Sequence, residues 1–110
     1  METFVRKVID WEKTAKNLKL LRNDNINLRK YVCRELNKKK EYGCVGMNCD
    51  VCKFKMDNSI SQAELAQVFH VSEGRIVNWE NNKSKPTIED LIFYSQICGI
   101  DFFDVIVCAD

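Results

Sequence analysis

The stretch Ser61–Asn81 constrains the fold more than any other part of the chain, because it predicts two short capped helices joined by a tight turn. Ser61 and Glu64 have the S-x-x-E spacing of a capping box, which pairs two otherwise unsatisfied backbone N–H groups at a helix start. Apolar residues then follow on one face at helical spacing: Leu65, Ala66 and Phe69. The small side chain of Ala66 allows a second helix to cross closely.

The second helix of this stretch is predicted to have one apolar and one polar side. His70 lies at the sharp turn, where His is one of the few non-glycine residues that tolerate positive φ. Ser72 is a favourable N-cap, and Ile76 and Trp79 point inward at i and i+3. The residues predicted to face outward or sideways are Glu73, Gly74, Arg75, Val77 and Asn78. Such a helix suits entry into the major groove of DNA.

These residues carry a resemblance to a known family. The segments Gln62–Ala66, Val71–Ser72, Trp79–Asn81 and Lys83–Pro86, together with Ile76, resemble the phage-repressor and Cro-like helix-turn-helix regulators. The resemblance runs from about residue 60 to residue 107. It implies a compact five-helix domain that binds operator DNA, usually as a dimer.

The resemblance also implies which side chains contact double-stranded DNA. The positions that match base-contacting ones are Glu73, Gly74, Arg75 and Asn78. Those that match phosphate-contacting ones are Gln62, Asn81, Lys83 and Lys85. Arg can bind guanine through O6 and N7, Asn can pair with adenine, and Glu can accept from cytosine N4. The alternative for each of these side chains is an ordinary solvated surface.

Four cysteines have the spacing of a metal site. Cys33, Cys44, Cys49 and Cys52 form the pattern C-x10-C-x4-C-x2-C, and four thiolates in a tetrahedron are a structural zinc arrangement. The last three of these cysteines lie in a short segment before Ser61 that has few apolar residues. Zinc is favoured because such a segment needs a bound metal to fold stably. Two alternatives stay open. One is an iron–sulfur cluster, since the C-x4-C-x2-C spacing of the last three cysteines matches a plant-type cluster run, and the other is plain reduced thiols. Cys98 and Cys108 are predicted to be structural, because buried cysteine behaves as a small apolar residue.

Charge divides the chain into two halves. Residues 1–57 carry 14 Lys and Arg against 8 Asp and Glu, a net +6, whereas residues 58–110 carry 3 against 8, a net −5. A DNA-binding role would therefore draw much of its phosphate attraction from the N-terminal half; the alternative is charge that merely solvates helices. The sequence has no run of 18 apolar residues and no signal pattern at its start, so we expect a cytoplasmic protein without membrane contact.

Further helices are predicted on both sides of this stretch. Helices are expected at 11–22 after an Asp10 cap and at about 28–40, while residues 2–9 fit either a short helix or an extended arm. A Thr87-capped helix should end at Gly99, and an Asp101-capped one should follow. Phe103 and Val107 could then form an exposed dimer patch or be scattered surface residues. Either N-terminal helix could take the place of the family's first helix.

The predicted fold class is all-α: a five-helix repressor-like DNA-binding domain with an N-terminal helical extension and a small zinc-loop insert. We divide the chain into an N-terminal arm and helix (1–24), a basic helix with the cysteine-rich insert (25–58) and the helix-turn-helix core (59–110). The predicted function is a sequence-specific DNA-binding regulator with a structural zinc site. Alternatives are an antitoxin-like protein–protein interaction module on the same fold and an iron–sulfur redox sensor. No catalytic constellation is present, so neither an enzyme nor a small-molecule substrate is expected.

Overall fold

A computed structural model of the chain describes residues 8–37 and 60–109, and these residues form six helices and one pair of short strands. The helices are α1 (Trp11–Asp24), α2 (Ile26–Asn37), α3 (Gln62–Phe69), α4 (Glu73–Glu80), α5 (Ile88–Cys98) and α6 (Phe102–Val105). Strands β1 (Val8–Ile9) and β2 (Cys108–Ala109) pair in antiparallel fashion. The mainly helical fold confirms the predicted all-α class. Within the described ranges, no helix is long and apolar enough to cross a membrane.

The boundary between α1 and α2 is a single residue, Asn25. Asp10 caps α1 as predicted, because its side chain accepts the backbone N–H three residues on. The helix then continues past its predicted end at Arg22. Asn25 adopts an extended conformation, and its side-chain oxygen accepts the N–H of Leu28 at 2.8 Å, so α2 begins earlier than predicted. The last residues of that predicted helix, 38–40, lie outside the described residues.

One hydrophobic core joins all the helices. α1 packs against α2, α4 and α6, whereas α2 packs against α3 and α5. Buried residues from each region meet there, among them Leu18, Leu28, Leu65, Ile76, Leu91 and Val105. Phe69 lies between three other rings, with centroid distances of 5.7 Å to Trp79, 4.9 Å to Phe93 and 4.7 Å to Tyr94. Trp79 is therefore a core residue, as predicted.

The C-terminal end of the chain is fastened to α1. The Asn17 side chain donates to the backbone carbonyl oxygens of Asp104 and Val105 at 3.0 and 2.8 Å. Thr14 accepts the N–H of Val107 at 2.9 Å, and just before α1, β1 pairs with β2. The sequence fits either a short helix or an extended arm at residues 2–9, and the structure shows that residues 8–9 are extended. Residues 2–7 lie outside the described ranges.

The two C-terminal cysteines differ. Cys98 is fully buried, as predicted, and burial raises the pKa of its thiol to about 12. Cys108 is exposed on β2, so its prediction as a buried structural cysteine is wrong. Strand alternation explains the difference, because successive residues of β2 point to opposite sides and Cys108 takes the solvent side.

Candidate nucleic-acid interface

The turn between α3 and α4 has the geometry that the sequence predicts. The capping box is present at the start of α3, with the Ser61 hydroxyl accepting the Glu64 N–H at 3.0 Å and the Glu64 carboxylate accepting the Ser61 N–H at 3.0 Å. α3 ends at His70, which adopts the left-handed conformation with φ 57°. The N–H of Val71 then returns to the carbonyl of Ala66 at 3.1 Å. Two helices therefore cross through one tight, hydrogen-bonded turn.

α4 presents one polar face to solvent and buries the other. Its N-cap Ser72 accepts the backbone N–H of Arg75 at 3.2 Å. Ile76 and Trp79 are buried on the inner side. All four residues predicted to contact bases are exposed: Glu73, Gly74, Arg75 and Asn78. The structure thus brings these side chains together on one accessible face, and their contacts with DNA stay a prediction.

A buried ion pair holds α4 against α1. The Arg22 guanidinium donates to both carboxylate oxygens of Glu80, with Nε–Oε2 and Nη2–Oε1 distances of 2.8 and 3.0 Å. Nη1 of Arg22 also donates to the carbonyl of Ile60 at 2.7 Å. Both side chains are buried, with Arg22 8% and Glu80 5% exposed. α1 is therefore the N-terminal helix that contacts α4 through this network, whereas α2 lies against α3 and α5.

Gln62, a predicted phosphate contact, joins the same network. Its side-chain amide donates to Oε1 of Glu80 at 3.0 Å, and the residue is half-buried. Gln62 is also the first residue of α3, where backbone N–H groups have no intrahelical acceptor. The position therefore keeps a donor for an anion even while its side chain holds Glu80.

The loop after α4 is folded back onto that helix. Asn82 has φ 57°, a left-handed conformation, and the N–H of Lys83 donates to the carbonyl of Asn78 at 2.9 Å. Asn81, Lys83 and Lys85 are exposed. The ammonium of Lys85 lies 5.4 Å from the centre of the Trp11 ring at the start of α1. The three predicted loop contacts are thus accessible, and one of them rests on α1.

The predicted metal ligands are placed only in part. Cys33 is buried on α2, 4% exposed. Cys44, Cys49 and Cys52 lie outside the described residues. In the described ranges, no group of three or more His, Cys, Asp or Glu side chains is arranged to hold a metal ion. The four-cysteine zinc site therefore stays a prediction.

Sequence reasoning missed the partner of Arg22. Helical spacing puts Arg22 on the same face of α1 as Ala15 and Leu18, and all three residues are buried. A buried guanidinium requires an acceptor, since an unpaired buried charge is costly. That requirement could have directed the search to an acidic residue on the inner side of α4, where Glu80 lies beside Trp79.

Comparison with known proteins supports this interpretation of the geometry. Residues 55–105 match a protein-family model described as helix-turn-helix, a range that includes α3 to α6. No curated protein and no solved structure matches the chain. The family match supports a DNA-binding helix-turn-helix regulator. The match over residues 55–105 supports the resemblance of this part of the chain to the phage-repressor and Cro-like helix-turn-helix proteins.

Proposed function

We propose that this protein is a sequence-specific DNA-binding transcriptional regulator that places α4 in the major groove of its operator. The observation that carries the proposal is the two-sided character of α4. Its outer face exposes Glu73, Gly74, Arg75 and Asn78, while Ile76 and Trp79 fix its inner face in the core. Because its inner face is packed in the core, α4 can enter a DNA groove with its outer face and keep that packing.

Each exposed side chain of α4 has a chemical preference for a base edge. The Arg75 guanidinium suits the O6 and N7 acceptors of guanine, the Asn78 amide suits the N6 and N7 groups of adenine, and the Glu73 carboxylate suits the N4 amine of cytosine. Gly74 has open space in front of it, since the nearest atom to an added Cβ would be the Ser72 hydroxyl at 4.0 Å. Its lack of a side chain therefore serves close approach of the DNA and not packing within the protein.

The phosphate contacts are assigned to both ends of the helix-turn-helix. Gln62 lies at the start of α3, and Asn81, Lys83 and Lys85 lie in the loop after α4. On binding DNA, the Lys85 ammonium would leave the Trp11 ring or contact the ring and a phosphate together. The contact with the ring is a cation–π interaction, which contributes ~0.5–1 kcal/mol at exposed sites. A phosphate oxygen offers this ammonium a full opposite charge, so the exchange is favourable.

Selection of binding sites from a random duplex pool tests the proposal. The wild-type protein should enrich a defined sequence, and Arg75→Ala with Asn78→Ala should abolish that preference while leaving the fold intact, because both side chains are exposed. Arg34→Ala is the control, since it removes another exposed guanidinium, one that lies on α2. Selection of the same sequence by the Arg75→Ala/Asn78→Ala variant would refute the assignment.

We also propose that Cys33, Cys44, Cys49 and Cys52 bind one structural zinc ion. The support is the donor set, because four thiolates at these spacings are the ligands that structural zinc takes. The expected content is one zinc per chain, lost in Cys49→Ser and kept in Cys108→Ser, which removes an exposed cysteine outside the set. An iron–sulfur cluster would instead give a coloured protein with stoichiometric iron.

A protein–protein interaction module, such as an antitoxin-like protein, is the second candidate. The net charge of −5 for residues 58–110 favours it, as do the exposed apolar side chains of Ile88, Ile92 and Phe103. Phe103 is 76% exposed, whereas Val107, the other residue of the predicted dimer patch, is only half-buried and not exposed, so a homodimer contact is proposed for Phe103 alone. Failure to enrich any duplex, together with retention of the fold, would favour this candidate over DNA binding. Sedimentation of the wild type beside Phe103→Ser tests the homodimer.

A further inference from the structure

A surface that combines basic, amide and apolar side chains lies next to the helix proposed to read DNA. Between α1 and the end of α4 there is an open cleft, which we call the α1 cleft, whose side chains include Lys16, Lys19 and Asn23 from α1 and Asn81 and Asn82 from the loop. Lys16 and Lys19 are exposed. Asn81 is also one of the predicted phosphate contacts, so the cleft is continuous with the proposed interface.

We propose that the α1 cleft binds the DNA backbone beside the groove, with Lys16 and Lys19 each neutralising a phosphate. The inference rests on the proposed function and extends it to a helix outside the helix-turn-helix. It commits to duplex DNA as the occupant because two ammonium groups and several amides converge on one open surface. Phosphate-directed contacts of this kind fix the position of a protein on DNA without reading sequence.

The charge distribution gives the proposal its physical basis. Residues 58–110 contain only Arg75, Lys83 and Lys85 as basic residues, against 8 acidic ones. A surface formed by that half alone would repel a polyanion, so cations from another element are needed next to it. Packing of α1 against α4 places Lys16 and Lys19 where they can supply that charge.

Acidic groups in the cleft do not reverse its sign. Glu80 lines the cleft, but its carboxylate is buried and bonded to Arg22 and Gln62. Glu12 also lines it and lies 3.8 Å from the ammonium of Lys16, with both side chains 74% exposed. Exposed pairs of this kind are weak and open easily, so Lys16 can turn to a phosphate. The Glu12 carboxylate then repels the phosphate, so removing its charge should strengthen DNA binding.

The experiment measures the salt dependence of binding to a synthetic mixed-sequence duplex for the full-length chain. Each phosphate contact contributes ~0.9 to the slope of log K against log salt. Lys16→Gln/Lys19→Gln should therefore lower the magnitude of the slope by ~1.8 and weaken binding at least tenfold at low salt, on the same basis. Arg34→Gln, a single charge removed from α2 outside the cleft, should leave the slope unchanged.

A second experiment compares two variants that each remove one negative charge and should therefore not weaken binding. Glu12→Gln should tighten binding severalfold, whereas Glu89→Gln, the same change on α5 outside the cleft, should not. The α1 cleft is not a phosphate site if the lysine variant keeps the wild-type slope, or if Glu12→Gln and Glu89→Gln have equal effects. The proposed function survives that result when Arg75 and Asn78 still determine sequence preference. Absence of any duplex binding by the wild type would overturn both proposals.

Discussion

Replacing Glu80 with Gln should destabilise the protein severely, although Glu80 lies at the end of the helix proposed to read DNA. The substitution keeps the shape of the side chain and removes its charge. Arg22 would then remain buried, 8% exposed, with the Ile60 carbonyl and a neutral amide as acceptors. Removing one partner of a buried ion pair costs ~3–5 kcal/mol, because the other charge is left uncompensated.

The amide oxygen that the Glu80→Gln variant retains as an acceptor places the expected cost near the lower end of that range. A loss of ~3 kcal/mol is a large part of the ~5–15 kcal/mol that typically stabilises a domain. It corresponds to a fall in melting temperature of at least ~12 °C for a domain of this size. Urea and thermal unfolding, followed by tryptophan fluorescence and circular dichroism, measure the two quantities, since Trp79 is buried and adjoins Glu80 in the sequence.

Glu12→Gln is the control, because it removes an acid of the same type from an exposed pair and exposed pairs contribute ~0–1 kcal/mol. A cycle with Arg22→Met isolates the pair itself, and the double variant should lose less than the sum of the two single losses. A Glu80→Gln loss no larger than that of Glu12→Gln, or two single losses that add without coupling, would show that the buried pair does not stabilise the fold.

Three further predictions follow from individual buried or exposed groups. Tyr94→Phe should keep or raise stability by up to ~1 kcal/mol, because the hydroxyl of Tyr94 is buried without a hydrogen-bond partner among the described residues and such a group carries a desolvation cost; a clear loss of stability would contradict this. Gly74→Ala should raise helix stability by up to ~1 kcal/mol and yet weaken DNA binding, because the added methyl has room in the protein but would lie at the DNA surface; unchanged affinity would remove Gly74 from the interface. The pKa of Cys98 is raised by burial from 9.0 to about 12, so its contribution to stability is complete below pH 9 and is lost as the pH rises from 9 toward 12. Cys98→Ala should reduce that alkaline loss in pH-dependent urea unfolding, and an identical pH profile for both proteins would contradict the prediction.

The sequence predicted the helix-turn-helix well because its local signals agree with its packing. Ser61 with Glu64, and the Thr87 cap, lie at the start of α3 and α5 as expected, and both starts are complete capping boxes, with Asp90 as the partner of Thr87. His70 adopts the left-handed turn that its position required. In each case the determining contacts are between residues a few positions apart, so spacing alone reveals them.

Long-range contacts could not be predicted, because residue spacing reveals only contacts between residues a few positions apart. Nothing in the local pattern pairs Arg22 with Glu80, which are distant in sequence, and the sequence likewise gives no sign that Lys85 lies over Trp11. The boundary between α1 and α2 was misplaced because Asn25 serves both helices at once, accepting from Leu28 to start α2. Exposure of Cys108 depends on the register of a strand pair that joins opposite ends of the described chain.

Amide chemical shifts of the isotope-labelled protein during titration with its selected duplex test the central claim most directly. We expect the largest changes at Glu73, Gly74, Arg75 and Asn78, with smaller ones at Gln62 and in the loop after α4. Changes confined to α2 and the exposed face of α5, with α4 unaffected, would contradict that claim.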